Sequence, residues 1–138
     1  MYWNTFCRTC DFEKYAQDLL TELHGKYKLA IISNGNGEAQ RSRLAAGGIS
    51  HFFDTIIISD EVGYWKPDRE IFDETLKRLN IKRTEALFIG DSLHDDYYGA
   101  VNAGIDFCYY NRKGNTVENI CPKYIIDSLI KVSTCLEE

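Results

Sequence analysis

Proline and methionine are scarce, with two and one among 138 residues, and no apolar run approaches the ~20 residues of a membrane span. A bilayer-crossing helix and a proline-rich low-complexity tract are therefore not expected, and no charged-then-apolar opening resembles a signal peptide, so the expected location is cytoplasmic. Positive charge is also short. Sixteen Lys+Arg against 21 Asp+Glu leave a net charge of -5, which argues against nucleic acid or an anionic membrane as the main partner. The cysteines are odd in number and scattered (Cys7, Cys10, Cys108, Cys121, Cys135), which suits reduced thiols better than a disulfide framework. Cys7-x-x-Cys10 lacks the second pair, or the histidines at matched spacing, that a structural zinc site requires. What the chain does have is an ordinary globular balance, 44% hydrophobic and 27% charged, in a length that suits one domain spanning residues 1–138.

Apolar periodicity divides that domain into alternating elements. Phe12, Tyr15, Ala16, Leu19, Leu20 and Leu23 recur at three and four residues, with Asp11 as N-cap and Gly25 after the last turn, predicting an amphipathic helix. Lys28–Ser33 is a short apolar run opening into Ser33-Asn34-Gly35-Asn36-Gly37, read as a buried strand and a glycine-rich loop, with a helix following over 38–46. Thr55–Ser59 is β-branched and reads as a second strand. Lys66-Pro67-Asp68 starts a turn, since proline steers its predecessor away from helix. Ile71, Phe72, Leu76 and Leu79 mark another helix ending near Asn80. Strands follow at 86–89, 107–110 and 124–126, and a helix over 127–136 closes the chain. Such alternation implies an α/β fold with a doubly wound parallel sheet. Residues 1–10 show no period.

The predicted strands end in Ser33, Asp60, Asp91 and Asn111, so one edge of the sheet is polar while the strand bodies are apolar. A carboxyl edge of this kind is where an α/β sheet binds small anionic ligands. Ser33 offers a hydroxyl, the amides of Asn34, Gly35 and Asn36 an anion-binding concavity, and Lys66 a compact positive charge. Asp91, Asp95 and Asp96 crowd one loop, an arrangement that suits a hard divalent cation held by Asp91, with Asp96 accepting either from metal-bound water or from Lys66. Each residue also has an ordinary account. The acidic loop caps a helix, Ser33-Asn34-Gly35 is a turn, a lone lysine is solvated, His94 is an exposed loop histidine, and Tyr97 and Tyr98 are helix-face packing and rim. The order of these residues on successive strands carries more than any one of them.

Taken together, the motifs resemble those of the haloacid dehalogenase (HAD) superfamily of hydrolases. Ile31-Ile32-Ser33-Asn34-Gly35 is similar to its second motif, Gly63–Asp68 with Lys66 to its third, and Gly90-Asp91-Ser92 through Asp96 to its fourth. The resemblance implies that Ser33, Asn34, Gly35 and Lys66 bind the substrate phosphoryl group, that Lys66 is catalytic, and that Asp91 and Asp96 form a Mg²⁺ site. It also implies Mg²⁺-dependent hydrolysis of small phosphate monoesters through an aspartyl-phosphate. One part is missing. The family's Asp-x-Asp motif, which ends a central N-terminal strand and supplies the nucleophile, occurs nowhere in this sequence.

On this reading the chain is an incomplete Rossmann-like core, truncated or split, with residues 1–10 a remnant of the cap, and as given it is impaired or inactive. The strands at 28–33 and 86–89 are expected either to pair directly or to receive a strand from a second chain, in preference to insertion of residues 1–7 between them. The expected partners are a phosphorylated metabolite or phosphate, and a second chain or copy completing the sheet. The alternative is a noncatalytic phosphate- or partner-binding module. A phosphoacceptor receiver domain fits less well, because Asn34-Gly35-Asn36-Gly37 stands where such a domain needs acidic residues.

Overall fold

A computed structural model of the protein describes residues 3–5, 16–111, 113–114 and 116–136, with residues 3–5 and 16 as backbone. In chain order these form β1 (Trp3–Thr5), α1 (Ala16–Leu23), β2 (Lys28–Ser33), α2 (Gly37–Gly47), β3 (Thr55–Ile58), α3 (Ser59–Val62), α4 (Arg69–Leu79), β4 (Leu87–Gly90), α5 (Tyr98–Ala103), β5 (Asp106–Tyr110), β6 (Tyr124–Ile126) and α6 (Val132–Leu136). A π-helical turn, Leu93–Tyr97, leads into α5. The helix ends follow their signals. Asn36 Oδ1 accepts from Ala39 N–H at 3.0 Å at the start of α2, and Asn80 closes α4 at φ 55°, a left-handed conformation that asparagine tolerates. Asp11, Phe12 and Tyr15, expected to open the first helix, lie outside the described residues, as do Cys7 and Cys10.

Every strand pairs in parallel with its ladder neighbour, in two three-stranded sets ordered β3-β2-β1 and β4-β5-β6. Because β1 also lies against β4, the strands line up as β3-β2-β1-β4-β5-β6, the doubly wound order that reverses at its middle. This corrects one expectation. Direct pairing of the strands at 28–33 and 86–89, or a strand from a second chain, was the favoured solution; instead Trp3, Asn4 and Thr5 pair with Lys28, Leu29 and Ala30. Residues expected to be a cap remnant thus include a core strand. Buried backbone groups at the edge of β2 require partners, and an aromatic and a β-branched residue within Trp-Asn-Thr suit a strand.

The strand bodies are continuously apolar because both faces of the sheet are covered. Alternation sends Ala30 and Ile32, with Phe88, Phe107 and Tyr109, to the face packed by α4 and α5. It sends Leu29 and Ile31, with Leu87, Ile89 and Cys108, to the face packed by α1, α2 and α6. Phe88 is at the centre of the first layer, edge-on to Phe72 at 4.9 Å and tilted against Phe107 at 6.0 Å. The second layer holds Cys108, whose burial, together with the neighbouring Cys135, pushes its thiol well above the usual range.

Replacing Phe88 with Ala is expected to cost about 3–5 kcal/mol in a urea titration, the range for a fully buried aromatic. A shift of less than 1 kcal/mol would place Phe88 outside the core. An alkylating reagent applied to the native protein at pH 8 should consume exposed Cys121 well before buried, protonated Cys108, and equal rates, read by mass spectrometry, would contradict the packing of that face.

Candidate functional site

Ser33 closes β2 with its side chain buried, 3% exposed, and among the described residues its hydroxyl makes one long contact, 3.5 Å to the Asn34 carbonyl. A buried hydroxyl so weakly satisfied has capacity left for a ligand. The chain then turns through Asn34-Gly35-Asn36 into α2. Its shape is fixed from α3: Gly35 N–H donates to Ser59 Oγ at 2.8 Å, and Ser59 Oγ donates to the Gly35 carbonyl at 3.3 Å. Gly37 N–H donates to Asp60 Oδ1 at 2.8 Å. Farther along, Arg41 pairs with Glu61 at 2.8 Å, and that hydrogen bond holds the Glu61 carboxyl below the usual carboxylate range.

These bonds change three sequence expectations. The Gly35 amide, expected in an anion-binding concavity, is already committed to Ser59, and the amides of Gly37 and Ala39 are committed to Asp60 and Asn36. Ser59, read as the last residue of a strand, instead begins α3 and braces the loop. Asp60, read as a strand terminator, ties α3 to the start of α2. Neither role leaves a sequence signal, because both depend on where two loops meet.

Asn34 faces the third motif. Its Oδ1 accepts from Lys66 N–H at 2.8 Å and its Nδ2 donates to the Lys66 carbonyl at 3.0 Å, so both ends of one side-chain amide hold the backbone of one residue. The Lys66 side chain runs inward, 5% of the residue exposed, and its ammonium donates to Asp96 Oδ1 at 2.8 Å with the Phe88 ring centroid at 5.8 Å. Lysine is rarely this buried unless paired, so the solvated-lysine account does not hold.

Asp96 is delivered by the π-helical turn. Ser92 C=O accepts from the N–H groups of both Asp96, at 3.0 Å, and Tyr97, at 3.1 Å, the latter five residues on, while Ser92 Oγ accepts from Asp95 N–H at 3.1 Å. Such single-turn expansions are frequent at functional sites. Here the turn separates two adjacent acids. Asp96 points inward with no exposed surface, and its Oδ2 accepts from Ser92 N–H at 3.1 Å. Asp95 stays near solvent, 2.8 Å from Nδ1 of exposed His94. Gly90 has to be glycine for the same reason, since a Cβ there would collide with the Asp96 carboxylate. Tyr97 packs on Phe107 and accepts from Cys121 N–H through its hydroxyl, while Tyr98 is half exposed at the rim.

Lys66 therefore bridges the end of β2 to the loop after β4, which places Ser33, Asn34, Lys66 and Asp96 on one carboxyl edge, with half-buried Asp91 the first residue beyond β4. Among the described residues no three His, Cys, Asp or Glu side chains gather into a metal cage. Of the alternatives for Asp96, the structure has it accepting from Lys66 through Oδ1, with Oδ2 accepting from Ser92 N–H. The remaining donor set suits a magnesium ion held through one carboxylate, Asp91, with waters and substrate oxygens completing its shell.

Breaking the buried pair should be costly in a way that a surface pair is not. Lys66→Met or Asp96→Leu alone is expected to lower stability by about 3–5 kcal/mol, because each leaves a charge buried without its partner, and the double variant should recover most of that loss. Urea unfolding of the three variants checks this; additive losses would mean that the pair is not coupled.

The profile of haloacid dehalogenase-like hydrolases matches residues 6–110. The chain is 34% identical over 135 residues to pyrimidine 5'-nucleotidase YjjG of Escherichia coli (strain K12), covering 96% of this chain and 60% of that one. It is 41% identical over 93 residues to the glyceraldehyde 3-phosphate phosphatase of Methanothermobacter thermautotrophicus, covering 67% and 41%. The crystal structure of the HAD-hydrolase YfnB from Bacillus subtilis, bound to magnesium, superposes with a TM-score of 0.85 at 33% identity, covering 91% of this chain and 56% of that one. The chain thus spans about half the length of the curated relatives it matches.

Proposed function

The chain belongs to the haloacid dehalogenase-like hydrolases, and from that premise we propose that its polar edge is the phosphoryl-binding half of a phosphatase site for small phosphate monoesters. The observation that carries the reading is the Lys66 ammonium, buried against Asp96 and fixed to the loop that follows Ser33. Phosphate recognition needs a hydroxyl or amide donor to a phosphoryl oxygen and a cation whose position does not have to be organised on binding. Ser33 supplies the first and Lys66 the second. Asp96 holds the lysine in place at 2.8 Å, with the Phe88 ring 5.8 Å from its ammonium. Asp91 would hold Mg²⁺, which supplies a Lewis acid toward the phosphate oxygens. The names of the phosphatase and nucleotidase relatives support phosphate esters as the ligand class.

These 138 residues carry no Asp-x-Asp pair, so the step in which a carboxylate attacks phosphorus has no attacking group from the family motif. The chain by itself binds the phosphoryl group without turning it over. Orthophosphate with Mg²⁺ should accordingly raise the melting temperature, by the equivalent of about 2.7 kcal/mol at a hundredfold excess over Kd. Ser33→Ala or Asp91→Asn should remove the effect, and p-nitrophenyl phosphate should not be hydrolysed. Turnover by the pure chain that Asp91→Asn abolishes would overturn the noncatalytic part, and no stabilisation by phosphate would overturn the site itself.

A further inference from the structure

We propose that the side chain of Asn34 is a positioning group, which serves the phosphate site by clamping the backbone of Lys66 and does not itself contact the ligand. The proposal rests on the phosphoryl-binding reading above and assigns to Asn34 a role that its place in the Ser33-Asn34-Gly35 loop does not reveal.

Three observations converge on it. The Asn34 side chain uses its acceptor on Lys66 N–H at 2.8 Å and its donor on the Lys66 carbonyl at 3.0 Å, so one planar amide fixes both peptide groups flanking a single Cα. A primary amide with its oxygen and nitrogen both engaged at these distances has its strongest directions already in use. Second, Lys66 lies in a stretch without regular structure between α3 and α4, where no helix or strand ladder holds its backbone. Third, the far end of the same residue is fixed by Asp96 at 2.8 Å. A lysine side chain has four methylenes, and its rotamer entropy opposes holding it in one place. Fixing both ends removes that freedom before a ligand arrives, which is how preorganised sites gain affinity.

The clamp also separates the two functions of the loop. Ser33 keeps a hydroxyl with spare capacity, while the next residue, pointing elsewhere, spends its side chain on the cation. Ligand recognition and cation placement thus come from adjacent residues at the end of one strand.

The test compares the full chain with Asn34→Ala and Asn34→Asp. Asp keeps the acceptor for Lys66 N–H but sets an anionic oxygen against the Lys66 carbonyl and adds a negative charge beside the phosphate site, so its effect should be at least as large as that of Ala. The first readout is competitive acetylation of lysines, read by mass spectrometry, as the ratio of Lys66 to Lys28. Lys28 donates to the Leu79 carbonyl at 2.7 Å, away from the site, and reports any general loosening of the fold. The second readout is orthophosphate affinity in the presence of Mg²⁺.

Asn34→Ala should raise the ratio about tenfold and weaken phosphate by a similar factor, the scale expected for losing two hydrogen bonds to one buried group. Asn34→Asp should move both in the same direction and weaken phosphate at least as much. An unchanged ratio, with or without weaker phosphate binding, would overturn the proposal, because Asn34 would then act on the ligand directly or not at all. A raised ratio with unchanged phosphate affinity would overturn it too. If the unmodified chain binds no phosphate, the phosphoryl-binding reading fails, and the acetylation ratio alone decides whether the clamp holds Lys66. Should Asn34→Ala not fold, Asn34→Asp carries the same comparison.

Discussion

An ammonium and a carboxylate meet at 2.8 Å with 3% and 0% of their side chains exposed, and most of what is distinctive in this chain follows from accommodating them. Two charges taken out of water are tolerated only when each is matched closely and the remaining lone pairs are satisfied. That demand explains the Ser92 amide on the second oxygen of Asp96 and the aromatic floor of Phe88 beneath Lys66. It explains the glycine at position 90, where any side chain would displace the carboxylate. It also explains the wide turn at 93–97, which turns one of two neighbouring acids inward and leaves the other near solvent.

Nothing in stability alone calls for such a pair, since a hydrophobic replacement of similar volume commonly does as well or better. What the pair provides is a cation whose place is settled. The same logic extends along the loop after β2, where Ser59 and Asp60 take up the amides of Gly35 and Gly37. The loop is shaped by neutral and acidic partners that take up two of its N–H groups, and the positive charge settled beside it is that of Lys66.

The parts of the fold that the sequence made legible are those in which a local pattern and a global demand agree. The runs at 29–32 and 107–110 are apolar because both sheet faces are covered, and α4 shows its buried stripe in Ile71, Phe72, Leu76 and Leu79. The C-terminal end of α4 is readable from Asn80 because capping chemistry is local, whereas Asn36, which caps α2, reads in the sequence only as part of a glycine-rich loop. β1 was not readable. Three residues carry too little pattern to declare a strand, and the reason they form one lies in the bare edges of strands far along the chain. At the site, the order of Ser33, Lys66 and Asp91 pointed to a shared edge, whereas the commitment of Asn34 to a residue 32 positions away, and of Gly35 to Ser59, comes from how loops dock. For Asp96 the sequence offered two partners, and only the path of the lysine side chain decides between them.

The sheet consists of two ladders of three strands that meet along β1 and β4. Lys66 is attached to both halves, by its peptide groups to the residue that ends the β2 side and by its nitrogen to the loop that follows β4. It therefore works as a rivet across the seam. A sliding of one ladder past the other would pull on that side chain, so the placement of the positive charge depends on how the two ladders meet.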